Sequence, residues 1–269
     1  TSPPAVKVAA LEVGVPVLQP ASLKPEPVQA ELAALDADVF VVAAYGKILP
    51  QRVLDLPARG SLNVHASLLP RWRGASPITA AILAGDPETG VSIMELVLKM
   101  DAGPVVAARA TPLVDDDTTG SIEARLAAIG ARTLLEVLPG WFDRSLEPAP
   151  QDDSLATYCS LVQKSDGFLR AAMDVHQAER AVRAYNPWPG ASVGYGDRRL
   201  LIWRAHIATA QADTGLPGDM MLVGRLPAVS FAGGLLVLDE VQLPGGRRLN
   251  GADFVNGERG RLLPRVELV

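Results

Sequence analysis

"GSLNVHASLLPRWRGASPITAAILAGD", residues 60–86, is the stretch whose reading decides the fold. GSLNVHAS reads as a strand, Ser-Leu-Leu-Pro breaks it, and a basic loop ends at Gly74. SPITAAILAGD then reads as a short helix with Gly85 as its stop signal. Strands followed by helices in this way build α/β domains. Side chains two apart on an extended strand share a face, so Asn63 and His65 project together. The break after His65 places the pair at the carboxyl end of the strand, where open α/β sheets hold ligands. A histidine bonded to backbone beside an asparagine that finishes a strand gives the same pattern, so the rest of the chain must separate the two readings.

Upstream, "DVFVVAAYG" (38–46) is a continuous apolar run, expected to be a strand buried on both faces of a parallel sheet. Before it, the opening "TSPPAVKVAALEVGVPVLQP" offers Ser2 as the cap of a short helix with Pro3 at its first position. "PEPVQAELAALDA" (25–37) reads as a second helix. Downstream, "TGVSIMELV" and "GPVVAARAT" are two more strands. "DDDTTGSIEARLAAIGARTLLEVLPGWFD" (115–143) is an amphipathic helix with acids at its start, where they favour the macrodipole. The expectation is an α/β domain with a largely parallel sheet over residues 1–143. A Pro- and Asp-rich linker covers 144–158, and a second domain spans 159–269. That second domain begins with the helix "MDVHQAERAVRAY" and continues in short runs punctuated by Gly and Pro: "ASVGYG", "RRLLIWRAHIATA", "DMMLVGR", "AVSFAGG", "LLVLDEVQL". Such spacing predicts a small antiparallel barrel or sandwich.

Composition narrows the function. At 269 residues, with 48% apolar and 20% charged side chains, the chain can bury two ordinary cores. It has no apolar run of membrane-spanning length and no secretory signal pattern. Cys159 is the only cysteine, so no intrachain disulfide can form, and a reducing cytoplasm is the expected location. His65, His176 and His206 lie far apart in sequence and make no metal-ligand cluster. The net charge of −5 argues against a generic nucleic-acid coat, yet it is uneven. Residues 1–163 carry 12 Lys and Arg against 19 Asp and Glu, whereas residues 164–269 carry 13 against 11. An acidic front and a mildly basic back suit domains with different partners.

"KMDAGPVV" sets Asp101 in a Gly-flanked turn before a strand, a common place for an ordinary turn aspartate. With Asn63 and His65 it would complete an acyl-transfer site that has no protein nucleophile. The Asn amide would donate to a developing oxyanion, His would donate or shuttle a proton, and Asp would orient His. Ser67 follows His65 too closely to be a base-activated nucleophile, and HASLL is not a G-x-S-x-G elbow.

Asn-x-His, then SLLP, then the distant Asp of "MDAG" resembles the formyltransferase family that uses 10-formyltetrahydrofolate. "HASLLPRWRGASP", "ATYCSLVQKSDGFL", "RAYNPWPGA" and "NGADFVNGERG" resemble the branch of that family that formylates methionyl-tRNA, in order along nearly the whole chain. The resemblance implies a Rossmann-like catalytic domain with a parallel sheet, joined by a linker to a small all-β OB-type barrel that contacts tRNA. It implies Asn63, His65 and Asp101 as the catalytic trio, and Ser67, Leu68, Leu69 and Pro70 as the folate-contacting loop. The implied partners are initiator methionyl-tRNA and the folate cosubstrate, with no membrane, no metal and a monomeric chain. In that chemistry Asn63 and protonated His65 stabilise the oxyanion. Asp101 holds His65 and can position a water that relays the amine proton to the departing folate nitrogen.

Arg71 and Arg73 flank Trp72 beside that loop and are candidates for terminal phosphates of an RNA. Arg183, Arg247 and Arg248 could track an RNA backbone, although for any one of these three a solvated surface is the more common reading. NPWPG reads as a rigid turn with Trp188 packed on the core. The family normally begins with a further strand, helix and Arg- and Gly-rich loop, and the chain does not begin with Met. An unfilled sheet position at the front is therefore expected. Rival readings are a formyltransferase acting on a small amine, such as a nucleotide sugar or glycinamide ribonucleotide, and a noncatalytic RNA-binding relative.

Overall fold

The computed structural model describes residues 3–209, 215–258 and 262–269. The expected Ser2 cap, the last residue of RRLLIWRAHIATA (Ala210) and the Arg259 and Gly260 of NGADFVNGERG lie outside them. The first helix, α1 (Ala5–Glu12), has Pro4 rather than a serine in its cap position, and it buries none of its residues. After α2 (Glu26–Ala33) come β1 (Phe40–Ala43), the single turn α3 (Gln51–Leu54), β2 (Ser61–His65) and the two-residue β3 (Arg73–Gly74). Then follow α4 (Pro77–Ala84), β4 (Glu88–Glu95), β5 (Val105–Pro112) and α5 (Thr119–Phe142).

The front sheet runs β1-β2-β4-β5. Only β1 and β2 are parallel; β4 is antiparallel to both of its neighbours. The sheet is thus mixed where a largely parallel one was expected. Residues 96–104 join β4 to β5 as a hairpin, and a parallel return would need a crossover of a dozen residues or more. β1 also departs from expectation. Among the described residues β2 is its one strand partner, its burial alternates, and Val41 is 44% exposed.

Helix α5 covers the other strands, packing Ile122, Leu126 and Val137 with Leu62, Val91 and Ile93 in one core. A Cβ at Gly130 would lie 2.7 Å from Val64 Cγ1, so this glycine lets the helix approach β2 closely. The acids expected in the first turn of α5 precede it. Thr118 and Ser121 form the capping box, and Asp117 just before them is buried. The Asp117 carboxylate accepts from the Val114 N–H, the Ser121 hydroxyl and Arg125. Burial alone would raise its pKa, but these partners hold it below the usual carboxylate range.

The Pro- and Asp-rich segment that reads as a linker is ordered. It contains a 3₁₀ turn (Asp153–Leu155) and β6 (Tyr158–Cys159), which pairs in parallel with β3. Beyond it lie α6 (Val175–Ala184), β7 (Ala191–Tyr195), β8 (Arg198–Ile207), β9 (Met220–Val223), β10 (Leu226–Phe231), β11 (Gly234–Gln242), β12 (Leu249–Asn250) and α7 (Gly251–Gly257). The strands form an antiparallel sheet, β7-β8-β11-β10-β9, with β12 on β11. The C-terminal tail bridges its two edges, Gly194 to Glu267 and Asp219 to Arg265, so the sheet is closed as a barrel rather than stacked as a sandwich. Tyr195, Phe231, Phe254 and α6 fill its core. Helix α7 is not apparent from strand spacing, yet its signal is local: Asn250 caps it, and Phe254 and Val255 turn inward.

The halves meet where α6 packs on α4 and on the start of α5. Arg180 Nε donates to Leu83 O at 3.0 Å, and Thr119 Oγ1 donates to Ala184 O at 2.6 Å. Among the described residues no helix is long and apolar enough to cross a membrane.

Candidate functional site

Strand β2 delivers Asn63 and His65, and the loop from β4 to β5 delivers Asp101. His65 is nearly buried, with Nε2 3.0 Å from Trp72 O and Nδ1 3.8 Å from Asp101 Oδ2. A carbonyl oxygen can only accept, so Nε2 carries a hydrogen and Nδ1 is the nitrogen that gains or loses the proton. That nitrogen faces a carboxylate too distant for a hydrogen bond but close enough to pair with imidazolium. Asp101 lies in the left-handed region at φ 47°, which aspartate tolerates better than most residues, and its Oδ2 accepts the Gly74 N–H at 2.8 Å. Asn63 is half-buried, and its amide makes no hydrogen bond among the described residues.

The loop after His65 is held from beneath by Ser92, which stands opposite His65 in β4. Ser92 Oγ donates to Ser67 O at 2.8 Å and accepts from the Leu69 N–H at 3.0 Å. Ser67 is buried and spends its hydroxyl on Arg71 O at 2.6 Å, so its side chain shapes the loop. Leu68 packs over Gly90, while Leu69 and the cis-linked Pro70 are half-buried. Sequence reasoning passed over Ser92, although a serine inside the apolar strand VSIM was the available signal. Thr157 was equally missed. Its hydroxyl accepts the Trp72 N–H and its carbonyl accepts the Arg73 N–H, which fixes the loop to the linker.

The arginine candidates separate. Arg71 is half-exposed, stacks 4.5 Å over Trp72 and pairs through both ends of its fork with Asp86. Burial would raise the Asp86 pKa, but Arg71 and the Trp72 indole N–H hold it below the usual range. Arg73 departs from its expected place at an RNA phosphate. It is wholly buried, bound to Gln151, to Tyr158 Oη and, at 2.8 Å, to Asp153. Arg183 is also committed, bidentate to Glu179 at 2.6 and 3.0 Å. Arg247 and Arg248 are exposed, and Arg248 lies 3.8 Å over the Trp203 ring. Trp188, expected on the core, is 57% exposed, because its turn lies at the surface between α6 and β7.

Two clefts flank this region. One of about 440 Å³ is lined by Leu54, Gly60, Ser61, Glu95, Val97 and Leu98. Ser61 begins the strand that His65 ends, so this cleft lies about 13 Å along β2 from His65. The hairpin loop runs from it to Asp101. The other, of about 280 Å³, lies between the halves against His176, Glu179 and Arg180. Among the described residues no group of three or more His, Cys, Asp or Glu is placed to hold a metal ion.

The family described as Formyl transferase matches residues 2–138, and Formyl transferase, C-terminal domain, matches residues 161–259. Methionyl-tRNA formyltransferase of Methylococcus capsulatus is 45% identical over 255 residues, 95% of this chain and 82% of that protein. Among solved structures, methionyl-tRNA formyltransferase from Clostridium thermocellum aligns with a TM-score of 0.60 at 14% identity, over 89% of this chain and 92% of that one. HypX from Aquifex aeolicus, solved in complex with tetrahydrofolic acid, aligns with a TM-score of 0.64 at 20% identity, over 85% of this chain and 40% of that one. At these identities the structural likeness speaks for the fold.

Proposed function

The chain belongs to the formyl transferase family, and on that premise we propose that it moves a formyl group from 10-formyltetrahydrofolate to the α-amino group of initiator methionyl-tRNA. The observation that carries this is His65 Nδ1 set 3.8 Å from Asp101 Oδ2, two residues beyond Asn63 on one strand face. The neutral amine attacks the formyl carbon, a C–N bond forms, and the carbonyl electron pair moves onto oxygen. The Asn63 amide donates to that oxygen, and a proton on His65 Nδ1 adds positive charge beside it. Asp101 keeps the ring in register. Collapse restores the carbonyl and breaks the bond to the folate nitrogen, which receives the proton lost by the amine; His65 and Asp101 are the groups placed to relay it. No covalent enzyme intermediate is needed, because the amine is itself the nucleophile.

The residues present suit a folate-derived donor. The Ser67–Pro70 loop, held by Ser92 at the His65 end of β2, is the segment on which that donor would rest. The acceptor is tested by offering 10-formyltetrahydrofolate with methionyl-tRNA, glycinamide ribonucleotide or an amino-sugar nucleotide. Methionyl-tRNA is expected to be turned over with the highest kcat/KM. Preference for either small amine would overturn the assignment of the acceptor.

A further inference from the structure

The side chain of Gln151, in the segment joining the halves, is fully committed. Its Nε2 donates to Asp101 O at 2.8 Å and to Gly103 O at 2.7 Å. Its Oε1 accepts from Arg73 Nε at 3.1 Å and Nη2 at 2.9 Å. The orientation of the amide is forced, since the two carbonyls can only accept and the guanidinium can only donate. Arg73 in turn cannot drift, because it is wholly buried and also bound to Asp153. The next residue, Gly74, gives its N–H to the Asp101 carboxylate, and a Cβ there would fall 2.2 Å from Cys159 O. Asp101 is thus gripped twice from one strand: Gly74 holds its carboxylate directly, and Arg73 holds its backbone through Gln151. A left-handed aspartate in a hairpin loop has little else to keep its side chain aimed at His65.

We propose that Gln151 is a positioning residue for formyl transfer, setting the Asp101 turn so that the carboxylate stays opposite His65 Nδ1. This rests on the reading of His65 and Asp101 as the proton-handling pair. It gives the segment between the halves a part in the chemistry as well as in the connection. Gln151 touches neither reacting atom and acts through Asp101 alone.

The test compares Gln151→Met and Gln151→Glu in the full chain, measuring single-turnover formyl transfer, KM for each substrate and the melting temperature. Glu keeps an acceptor for Arg73, and so the packing, but loses both donors to the turn. Both variants are expected to lose about 10- to 100-fold in single-turnover rate, as small misplacements of catalytic groups do, with KM changed by less than about threefold. In an Asp101→Ala background Gln151→Met should cost less than about twofold, because two residues that act as one unit are not additive. Rates near wild type in both Gln151 variants, or the same fold loss with and without Asp101, would overturn the proposal. Should Asp101→Ala itself turn over like wild type, the reading of the pair falls and the role of Gln151 with it. An inert Gln151 beside an inactive Asp101→Ala overturns the role of Gln151 alone.

Discussion

His65 shows why neighbouring residues of one type must be judged by their partners. Its Nε2 is occupied by a carbonyl, so the chemistry of the ring is confined to the nitrogen that sees Asp101. Sequence alternation predicted the shared face of Asn63 and His65 because the period of a strand is a local property. The arginines were not legible in the same way, since RWRG gives no sign that Arg71 turns outward while Arg73 turns inward. The consequence is measurable. Arg73→Met should lower stability by about 1–3 kcal/mol in urea denaturation, because it leaves the part-buried Gln151 amide oxygen without its guanidinium donors. Arg71→Met should cost a similar amount, about 1–3 kcal/mol, because it leaves the largely buried Asp86 carboxylate with the Trp72 indole N–H in place of a paired guanidinium. Asp117 supplies a pH signature. Its folded pKa is depressed, so its stabilisation is present above the unfolded carboxylate value and is lost as pH falls through the folded value. Asp117→Asn should therefore be destabilised by about 1–3 kcal/mol at neutral pH. The gap to wild type should close as the pH is taken below about 4. A gap that persists at acid pH would show that shape, not charge, is what Asp117 contributes.

Elements carried by periodicity and caps were readable from the chain: β2, α4 with its Gly85 stop, β4, β5, α5 and α6. Strand direction was not, because hydrophobic pattern fixes which face is buried but says nothing about which neighbour a strand chooses. For that reason a largely parallel sheet was expected and a mixed one is found. The linker was read from its Pro and Asp content as a connector, and composition cannot reveal that Thr157 and Gln151 pair with a distant loop. Thr157→Val removes the acceptor for the Trp72 N–H and so loosens the backbone whose carbonyl fixes His65. It is expected to slow transfer by about tenfold with a modest loss of stability, read from single-turnover kinetics beside a thermal melt. At the start of α5, Thr118→Ala should cost about 1 kcal/mol through loss of the capping box. Activity is expected to be retained, because that cap lies away from the pair.

Across the whole molecule, an acidic front is joined to a mildly basic barrel, and the halves share the α4–α6 contact. The two-domain plan was legible in composition and turn spacing. The closing of the barrel by residues 262–269 was not, because edge-to-edge pairing across the chain leaves no local pattern. If the barrel meets the phosphate backbone of tRNA, Arg247→Ala and Arg248→Ala should each raise KM for methionyl-tRNA and flatten its dependence on salt by about one counterion. The folate KM should stay unchanged. The central claim is that His65 and Asp101 together handle the proton of formyl transfer, and single-turnover transfer from 10-formyltetrahydrofolate to methionyl-tRNA tests it most directly, with wild type, His65→Ala and Asp101→Ala compared at saturating substrates and folate binding measured in parallel. The predicted result is a fall of about 100-fold or more in rate for each variant, with folate affinity within about threefold of wild type; a rate near wild type in either variant would contradict it.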